Sequence, residues 1–248
     1  MKIDKVILSS NDSKTYLDFW PIVSKAWKNI DIEPILIYTG KKKFPYCKDG
    51  VFHFNYKKIN SAFVAQNIRL LAPSLFPDDI CIISDIDNMP LSKSYFQDNI
   101  CGVKLENFVI YRPKAATDDM ISIMWNAALG KTWAEIFEIK NEKNIEERLI
   151  DWYPNKYKVG GNNWYFDQKI LKIHIENFES KFPSRITRLD DDNTNFLRLN
   201  RSKLGDNFEE FYNPDLKYSD FHMPRPYKKY KNLIHNVYNS NFLNKERL

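Results

Sequence analysis

The chain has 248 residues, of which 43% are hydrophobic, 28% charged and 15% aromatic. This length is enough to bury the core of one large α/β domain, and the composition excludes disordered and fibrous proteins. The 37 basic and 32 acidic residues leave a net charge of only +5 and are spread along the chain, so no nucleic-acid-binding surface is expected.

The cysteines and the hydropathy pattern bear on the compartment. Cys47, Cys81 and Cys101 are odd in number and lack the spacing of metal ligands, so neither a disulfide framework nor a zinc site is expected. No apolar run approaches the roughly 20 residues of a membrane span, and the first residues lack the apolar segment of a signal peptide. We therefore expect a cytoplasmic protein without a transmembrane segment.

The first elements predict a strand, a helix and a second strand. Residues 5–9 and 33–38 are short apolar runs that indicate strands. Between them, apolar residues recur at spacings of three or four, which is typical of one face of a helix: Leu17, Trp20, Val23 and Trp27. Pro21 indicates a late start or a kink in this helix. This order predicts a βαβ unit and therefore a mostly parallel sheet.

The next elements lead to a pair of aspartates. Residues 51–54 predict a third strand, and residues 62–71 predict a helix that Pro73 ends. Residues 80–84 are a fully apolar run of strand length, which predicts a strand at the centre of the sheet. Asp85 and Asp87 follow at its carboxyl end, where open α/β sheets bind their ligands.

Beyond residue 90 the pattern is less regular. It predicts two further strands, a tight glycine loop and four helices. The predicted strands are residues 103–112 and 120–125, the loop is residues 160–163, and the helices are residues 133–139, 145–152, 164–173 and 227–238.

The aspartate pair predicts a metal site. Residues two apart in an extended segment point the same way, so the carboxylates of Asp85 and Asp87 converge. Hard cations such as Mg²⁺ and Mn²⁺ bind such carboxylates together with substrate phosphate oxygens. The spacing alone is weak, because acidic residues are numerous. Residues 190–192, Asp-Asp-Asp, are a competitor, but no buried strand precedes them and a solvated surface explains them better.

Three segments together resemble one enzyme family. The stretch from Arg69 to Leu91, RLLAPSLFPDDICIISDIDNMPL, resembles the donor-site segment of GT-A glycosyltransferases with a DxD motif, especially the glycogenin and lipopolysaccharide galactosyltransferase family. Residues 165–171, YFDQKIL, look like that family's Asp-Gln-x-x-Leu element. His222 followed by Lys228 resembles its C-terminal metal-ligand histidine and phosphate-binding lysine, although the residues between them differ from the family's pattern.

The resemblance implies a fold and an activity. The fold is α/β, a single Rossmann-like GT-A domain over residues 1–248 with a mostly parallel central sheet flanked by helices. Residues 1–100 form the donor half, and residues 101–248 form the acceptor half with a C-terminal metal- and phosphate-binding tail. The activity is transfer of a sugar from a nucleotide diphospho-sugar, a UDP-sugar first, to a glycan or to a lipid-linked or protein-linked hydroxyl, with Mn²⁺ or Mg²⁺ as cofactor.

The resemblance also implies roles for individual residues on the donor side. Asp85, Asp87 and His222 hold the metal. Lys228 meets the diphosphate, and Arg69 approaches the donor sugar or phosphate. Ser9 and Ser10 lie where the nucleotide base binds.

The other roles concern the transferred sugar and the acceptor. Asp167 and Gln168 face the transferred sugar: Asp167 takes the acceptor proton if configuration inverts, and either residue supports the positive anomeric centre if it is retained. Gly160 and Gly161 allow the backbone to approach the sugar closely. Trp125 and Trp164 are candidates for stacking on the acceptor.

Each of these residues also has an ordinary structural role as an alternative. Asp167 fits the first turn of a helix, where its charge favours the helix dipole, and Arg69 fits a surface ion pair. His222 fits an ordinary structural histidine. Two other functions stay open as well. A sugar-nucleotide nucleotidyltransferase also needs acidic metal ligands, but residues 9–13 lack the glycines of its phosphate loop. A non-catalytic carbohydrate-binding module with this fold would bind sugar without metal dependence.

Overall fold

A computed structural model describes residues 1–54, 58–154, 156–161, 163–204 and 211–243. The strands are β1 (Lys5–Ser10), β2 (Glu33–Tyr38), β3 (Val51–His53), β4 (Ile80–Ile83), β5 (Asn88–Pro90), β6 (Phe108–Ile110), β7 (Asn126–Leu129), β8 (Ile186–Arg188), β9 (Leu197–Asn200) and β10 (Tyr218–His222). The α-helices are α1 (Lys14–Leu17), α2 (Trp20–Asn29), α3 (Ser61–Leu71), α4 (Lys93–Gln97), α5 (Gly130–Phe137), α6 (Glu142–Trp152), α7 (Phe166–Lys181) and α8 (Tyr227–Phe242). Short 3₁₀ turns are Ala72–Leu75, Asp98–Ile100, Pro183–Arg185, Asp191–Asn193 and Arg201–Lys203.

The large sheet has the strand order β3-β2-β1-β4-β7-β6-β8. The pairs β1–β2, β1–β4, β2–β3 and β6–β8 are parallel, whereas β7 runs antiparallel to both β4 and β6. Strand β4 is buried at every residue, as expected of a central strand. The predicted α/β fold, with a mostly parallel central sheet flanked by helices, is confirmed. The boundary between donor and acceptor halves at residue 100 stays a prediction.

The core explains the high aromatic content. Trp27, Trp125 and Trp133 are fully buried. The ring of Trp125 lies 4.6 Å from that of Phe96 and 6.5 Å from that of Trp27, both in edge-on arrangements that aromatic pairs favour. These rings therefore fill the interior. In the part of the chain that the structure describes, no helix is long and apolar enough to cross a membrane.

The predicted elements differ from the observed ones mainly after residue 100. Only Phe108–Ile110 of the predicted strand 103–112 is a strand, and residues 120–125 contain none. Instead, the Ser122 hydroxyl accepts from the Met124 N–H at 3.3 Å, and the Asn126 side chain donates to the Ser122 carbonyl at 2.8 Å. Such local bonds compete with a strand ladder, so the strand begins only at Asn126.

The last two predicted helices are longer than expected. The helix predicted at 164–173 is Phe166–Lys181, and the one predicted at 227–238 is Tyr227–Phe242. Of the predicted loop 160–163, residue 162 lies outside the described residues.

A small second sheet was not predicted, and it matters for the site. Its order is β5-β10-β9. Strand β10 runs antiparallel to β5, with His222 opposite Asn88, and the Met223 N–H donates to the Asp87 carbonyl at 2.9 Å. This pairing brings the C-terminal histidine beside the aspartate that follows β4.

Candidate active site

A cavity of about 840 Å³ opens at the carboxyl ends of β1 and β4. It is lined by residues from distant parts of the chain, and most of the predicted site residues are among them. Those that line it are Ser9, Ser10, Arg69, Asp85, Asp87, Trp164, Asp167, Gln168 and His222. The sheet topology explains this meeting, because parallel strands deliver their carboxyl ends to one edge.

Local sequence positions the acidic and basic groups. The Asn60 side chain caps α3 by accepting from the Ala62 N–H at 2.8 Å, and Arg69 lies in the last turn of that helix. The buried strand β4 ends just before Asp85. Helix α7 carries Asp167 in its first turn. These three elements converge on one wall of the cavity.

Asp87 is the centre of a cationic cluster. Its side chain is 6% exposed, and its Oδ2 lies 2.7 Å from Arg201 Nη1, 3.4 Å from Arg225 Nε and 3.8 Å from His222 Nε2. Burial lowers the pKa of His222, so its imidazole is neutral at neutral pH. Two guanidinium groups therefore share this single carboxylate.

Arg69 joins the other two carboxylates of the site. Its buried guanidinium donates to Asp85 through Nη1 and to Asp167 Oδ2 through Nη2, at 2.7 Å in the second case. Burial alone would raise the pKa of Asp85, but the charge and hydrogen bond of Arg69 outweigh it and hold that pKa below its usual value. The alternative of an exposed surface ion pair for Arg69 is therefore wrong.

Asp167 is buried and fully engaged. Its Oδ1 accepts from the Gln168 N–H at 2.9 Å and from Gln66 Nε2 at 3.3 Å, and Arg69 holds Oδ2. Burial raises its pKa, against the opposing effect of Arg69. Because both oxygens of Asp167 already accept hydrogen bonds, its carboxylate can hold Arg69 in position. Its place in the lining of the cavity also allows a role at a bound sugar. Gln168 is only partly buried and lines the cavity beside it.

The carboxylate oxygens and the imidazole nitrogen in this cavity are atom types that bind divalent cations. Asp87 Oδ2 and His222 Nε2 lie 3.8 Å apart, which two ligands of one ion at about 2.0–2.2 Å can span. Asp85 Oδ1 is taken by Arg69, which leaves its second oxygen for a metal. Within the described ranges, no three His, Cys, Asp or Glu side chains are grouped closely enough to hold an ion. Asp87 Oδ2 likewise accepts from Arg201, so a cation between Asp87 and His222 would share that oxygen with the arginine, and Asp85 would complete the ligand set.

Two serines also line the cavity. Ser9 and Ser10 are buried at the end of β1. The Ser9 hydroxyl donates to the Ala65 carbonyl, and that of Ser10 donates to the Asn11 carbonyl at 3.1 Å. Their oxygens stay able to accept hydrogen bonds from a ligand.

Three predicted site residues lie outside the lining of the cavity. Trp125 is fully buried and its indole N–H donates to the Ser84 hydroxyl at 2.8 Å, so it cannot stack on an acceptor sugar. Lys228 is exposed in the first turn of α8. A Cβ at Gly161 would meet the Lys158 carbonyl oxygen at 3.1 Å, so the small residue serves the turn itself. Gly160, with φ of 71°, has the left-handed backbone that favours glycine.

Two arginines of the site carried no sequence signal strong enough to find them. Arg201 lies in a 3₁₀ turn after β9, and Arg225 lies between β10 and α8. Both line the cavity. Arg225 also donates to the Tyr16 hydroxyl and lies over its ring, 4.9 Å from the centroid. The one signal that could have found Arg225 is its position between His222 and Lys228.

Replacement of Trp125 tests its structural role. We expect Trp125→Phe to lower the free energy of unfolding by about 1–3 kcal/mol, because a buried hydrogen bond and part of the packed volume are lost. The measurement is urea denaturation followed by circular dichroism. The matched control is Trp164→Phe, in the lining of the cavity, which should change stability little. Equal losses for both variants would contradict this assignment.

Comparison with known proteins gives the fold. No protein-family model and no curated protein matches the chain. Among solved structures, an active-site mutant of LgtC matches with a TM-score of 0.50 at 10% identity, over 94% of this chain and 95% of that one. LgtC is a galactosyltransferase, solved elsewhere in complex with donor and acceptor sugar analogs. The chain has the GT-A fold. The sequence-based resemblance is therefore confirmed at the level of fold.

Two further solved structures match with lower scores. A glycosyltransferase involved in glycosylation of the major capsid of PBCV-1 matches with a TM-score of 0.46 at 12% identity, over 94% of this chain and 99% of that one. The glycosyltransferase GlyE of Streptococcus pneumoniae TIGR4 matches with a TM-score of 0.42 at 13% identity, over 77% of this chain. The chain spans slightly less than half of GlyE, 46% of its length.

Proposed function

We propose that the protein is a glycosyltransferase that takes a sugar from a nucleotide diphospho-sugar, with a UDP-sugar as the first donor to test. The observation that carries the proposal is the meeting of Asp85, Asp87 and His222 in one cavity at the carboxyl edge of the sheet. The volume of about 840 Å³ falls within the range of small-molecule sites, roughly 300–1,000 Å³. The acceptor is a hydroxyl of a glycan or of a lipid-linked or protein-linked molecule.

Different residues of the donor subsite bind the base and the diphosphate of the donor. The nucleotide base lies beside Ser9 and Ser10, whose hydroxyl oxygens accept hydrogen bonds. Asp87 and His222, together with Asp85, would hold Mn²⁺ or Mg²⁺, which would compensate the charge that builds on the departing nucleotide. The buried Arg69 fixes the orientation of Asp85 and holds Asp167 in place.

The sugar and acceptor subsites lie toward α7. Asp167 and Gln168 are beside the transferred sugar, where a carboxylate or amide favours positive charge at the anomeric carbon. The partly exposed Trp164 offers a ring face for the acceptor. Both inverting and retaining chemistry are compatible with these groups.

The two rival functions have different reaction products. A nucleotidyltransferase would form a sugar nucleotide from a nucleoside triphosphate and a sugar phosphate, with release of pyrophosphate. The absence of glycine from residues 9–13 disfavours it, because a phosphate loop needs close backbone approach. A carbohydrate-binding module would bind sugars and turn over no donor.

The test is turnover of a panel of UDP-, GDP- and ADP-sugars, measured as nucleotide diphosphate released. We expect release from one class of donor with Mn²⁺ or Mg²⁺ and its loss in EDTA. Full release in EDTA would contradict metal use. No release from any donor, together with metal-independent sugar binding, would favour the binding module. Release of pyrophosphate from a nucleoside triphosphate and a sugar phosphate would favour the nucleotidyltransferase.

A further inference from the structure

Among the described residues, four lysine and arginine side chains line the cavity, and two of them are already compensated. Arg69 lies between Asp85 and Asp167. Lys114 pairs with Asp190 and with Asp192, the latter at 2.8 Å. Each of these two cations therefore faces two carboxylates and has little charge to offer a ligand.

The other two cations, Arg201 and Arg225, are placed differently. Both contact the same oxygen of Asp87, at 2.7 Å and 3.4 Å. Their side chains are 25% and 31% exposed, so they are neither buried ion pairs nor free surface groups. Among the described residues, two guanidinium charges here share one carboxylate, so positive charge is in excess around Asp87, whereas negative charge is in excess around Arg69.

The hydrogen-bonding capacity of these arginines is not exhausted by their partners. Arg201 donates through Nη1 to Asp87 and, at 3.1 Å, to the Met223 carbonyl. Arg225 contacts Asp87 through Nε and donates to the Tyr16 hydroxyl through Nη1. Among the residues that the structure describes, Arg201 Nε and Nη2 and Arg225 Nη2 donate to no acceptor, whereas a guanidinium can donate from every nitrogen.

We propose that Arg201 and Arg225 form a clamp for the diphosphate of the donor, an inference that rests on the proposed function. A guanidinium matches phosphate oxygens with parallel N–H donors, and two of them match the two phosphates. Asp87 holds both groups in position before the ligand arrives, which lowers the cost of ordering them on binding. The clamp takes the role that the family resemblance gave to Lys228, a residue exposed outside the cavity.

The experiment is isothermal titration calorimetry with UDP, inorganic pyrophosphate and uridine, each in EDTA and in Mn²⁺. The variants are Arg201→Ala, Arg225→Ala, the double variant and Lys228→Ala. Arg188→Ala is the matched control, because it removes the same charge from a surface pair with Glu179. Far-ultraviolet circular dichroism checks that each variant is folded. Arg201→Lys and Arg225→Lys keep the charge beside Asp87 and provide a second test if an alanine variant does not fold.

We expect each arginine-to-alanine change to weaken binding of UDP and pyrophosphate about tenfold, and the double variant more, because charge-assisted hydrogen bonds are lost. The affinity for uridine should be unchanged in the arginine variants. Arg188→Ala and Lys228→Ala should bind UDP and pyrophosphate as tightly as the wild-type protein. The lysine variants should lie between wild type and alanine.

Different results would contradict the clamp alone and the proposed function. Wild-type affinity for UDP in the folded double variant, or in both lysine variants if it does not fold, would overturn the clamp and leave the proposed function intact. An equal loss of uridine affinity would also overturn the clamp, because it would indicate a disturbed cavity. Failure of the wild-type protein to bind any nucleotide diphosphate or pyrophosphate would remove the proposed function and the clamp with it.

Discussion

Replacement of Asp87 by asparagine should reduce turnover of the nucleotide sugar by roughly a hundred- to a thousandfold. The amide keeps the shape of the side chain but removes the charge on which Arg201, Arg225 and His222 converge. Loss of several kcal/mol of charge stabilisation at the departing phosphate corresponds to about this factor in rate. The measurement is the initial rate of nucleotide diphosphate release at saturating Mn²⁺.

The matched control for Asp87→Asn is Asp78→Asn. Asp78 is 80% exposed, pairs with Lys131 on the surface and is not among the residues that line the cavity. The Asp78→Asn variant should retain full activity. A folded Asp87→Asn protein with a rate within about threefold of wild type would contradict the placement of the departing phosphate beside this carboxylate, since that corresponds to under about 1 kcal/mol.

Replacement of Arg69 by methionine should have the largest effect on stability. We expect the free energy of unfolding to fall by about 3–5 kcal/mol, because Asp167 keeps a buried charge without its cation. For a chain of this length each kcal/mol lowers the melting temperature by roughly 2–4 °C. Urea denaturation and thermal unfolding both measure the loss.

A second substitution separates charge from packing at Arg69. The double variant Arg69→Met, Asp167→Asn should recover part of the stability, because the uncompensated buried charge is gone. The matched surface control is Arg148→Met, whose partner Glu138 is 70% exposed, with an expected loss of at most about 1 kcal/mol. A loss for Arg69→Met as small as that of the control would contradict the buried bridge.

Much of the donor side could be predicted because local pattern and topology agree there. The apolar run that became β4 needed no tertiary information, and residues after a central strand necessarily reach the carboxyl edge of the sheet. The predicted Asp85 and Asp87 followed directly. His222 was found only through the family resemblance, because it depends on the pairing of β10 with β5, strands far apart in sequence.

The rest could not be predicted for identifiable reasons. Strands β5, β6 and β8 have three residues each, too few to produce an alternating pattern. The sequence does not distinguish a buried tryptophan from one in a cavity, so Trp125 and Trp164 looked alike. Arg201 lies in a turn without any motif, and only the folding of β9 beside β10 brings it to Asp87.

The central claim is that the cavity beneath Asp87 binds a nucleoside diphosphate, and thermal unfolding tests it most directly. At a ligand concentration about a hundredfold above Kd, binding to the native state adds about 2.7 kcal/mol, or roughly 5–10 °C in melting temperature. We expect this shift with UDP or another nucleoside diphosphate in Mn²⁺, and no shift in folded Ala65→Trp, whose side chain would occupy the part of the cavity beside Ser9 where we place the base. The absence of any shift in the wild-type protein, or an equal shift in Ala65→Trp, would contradict the claim.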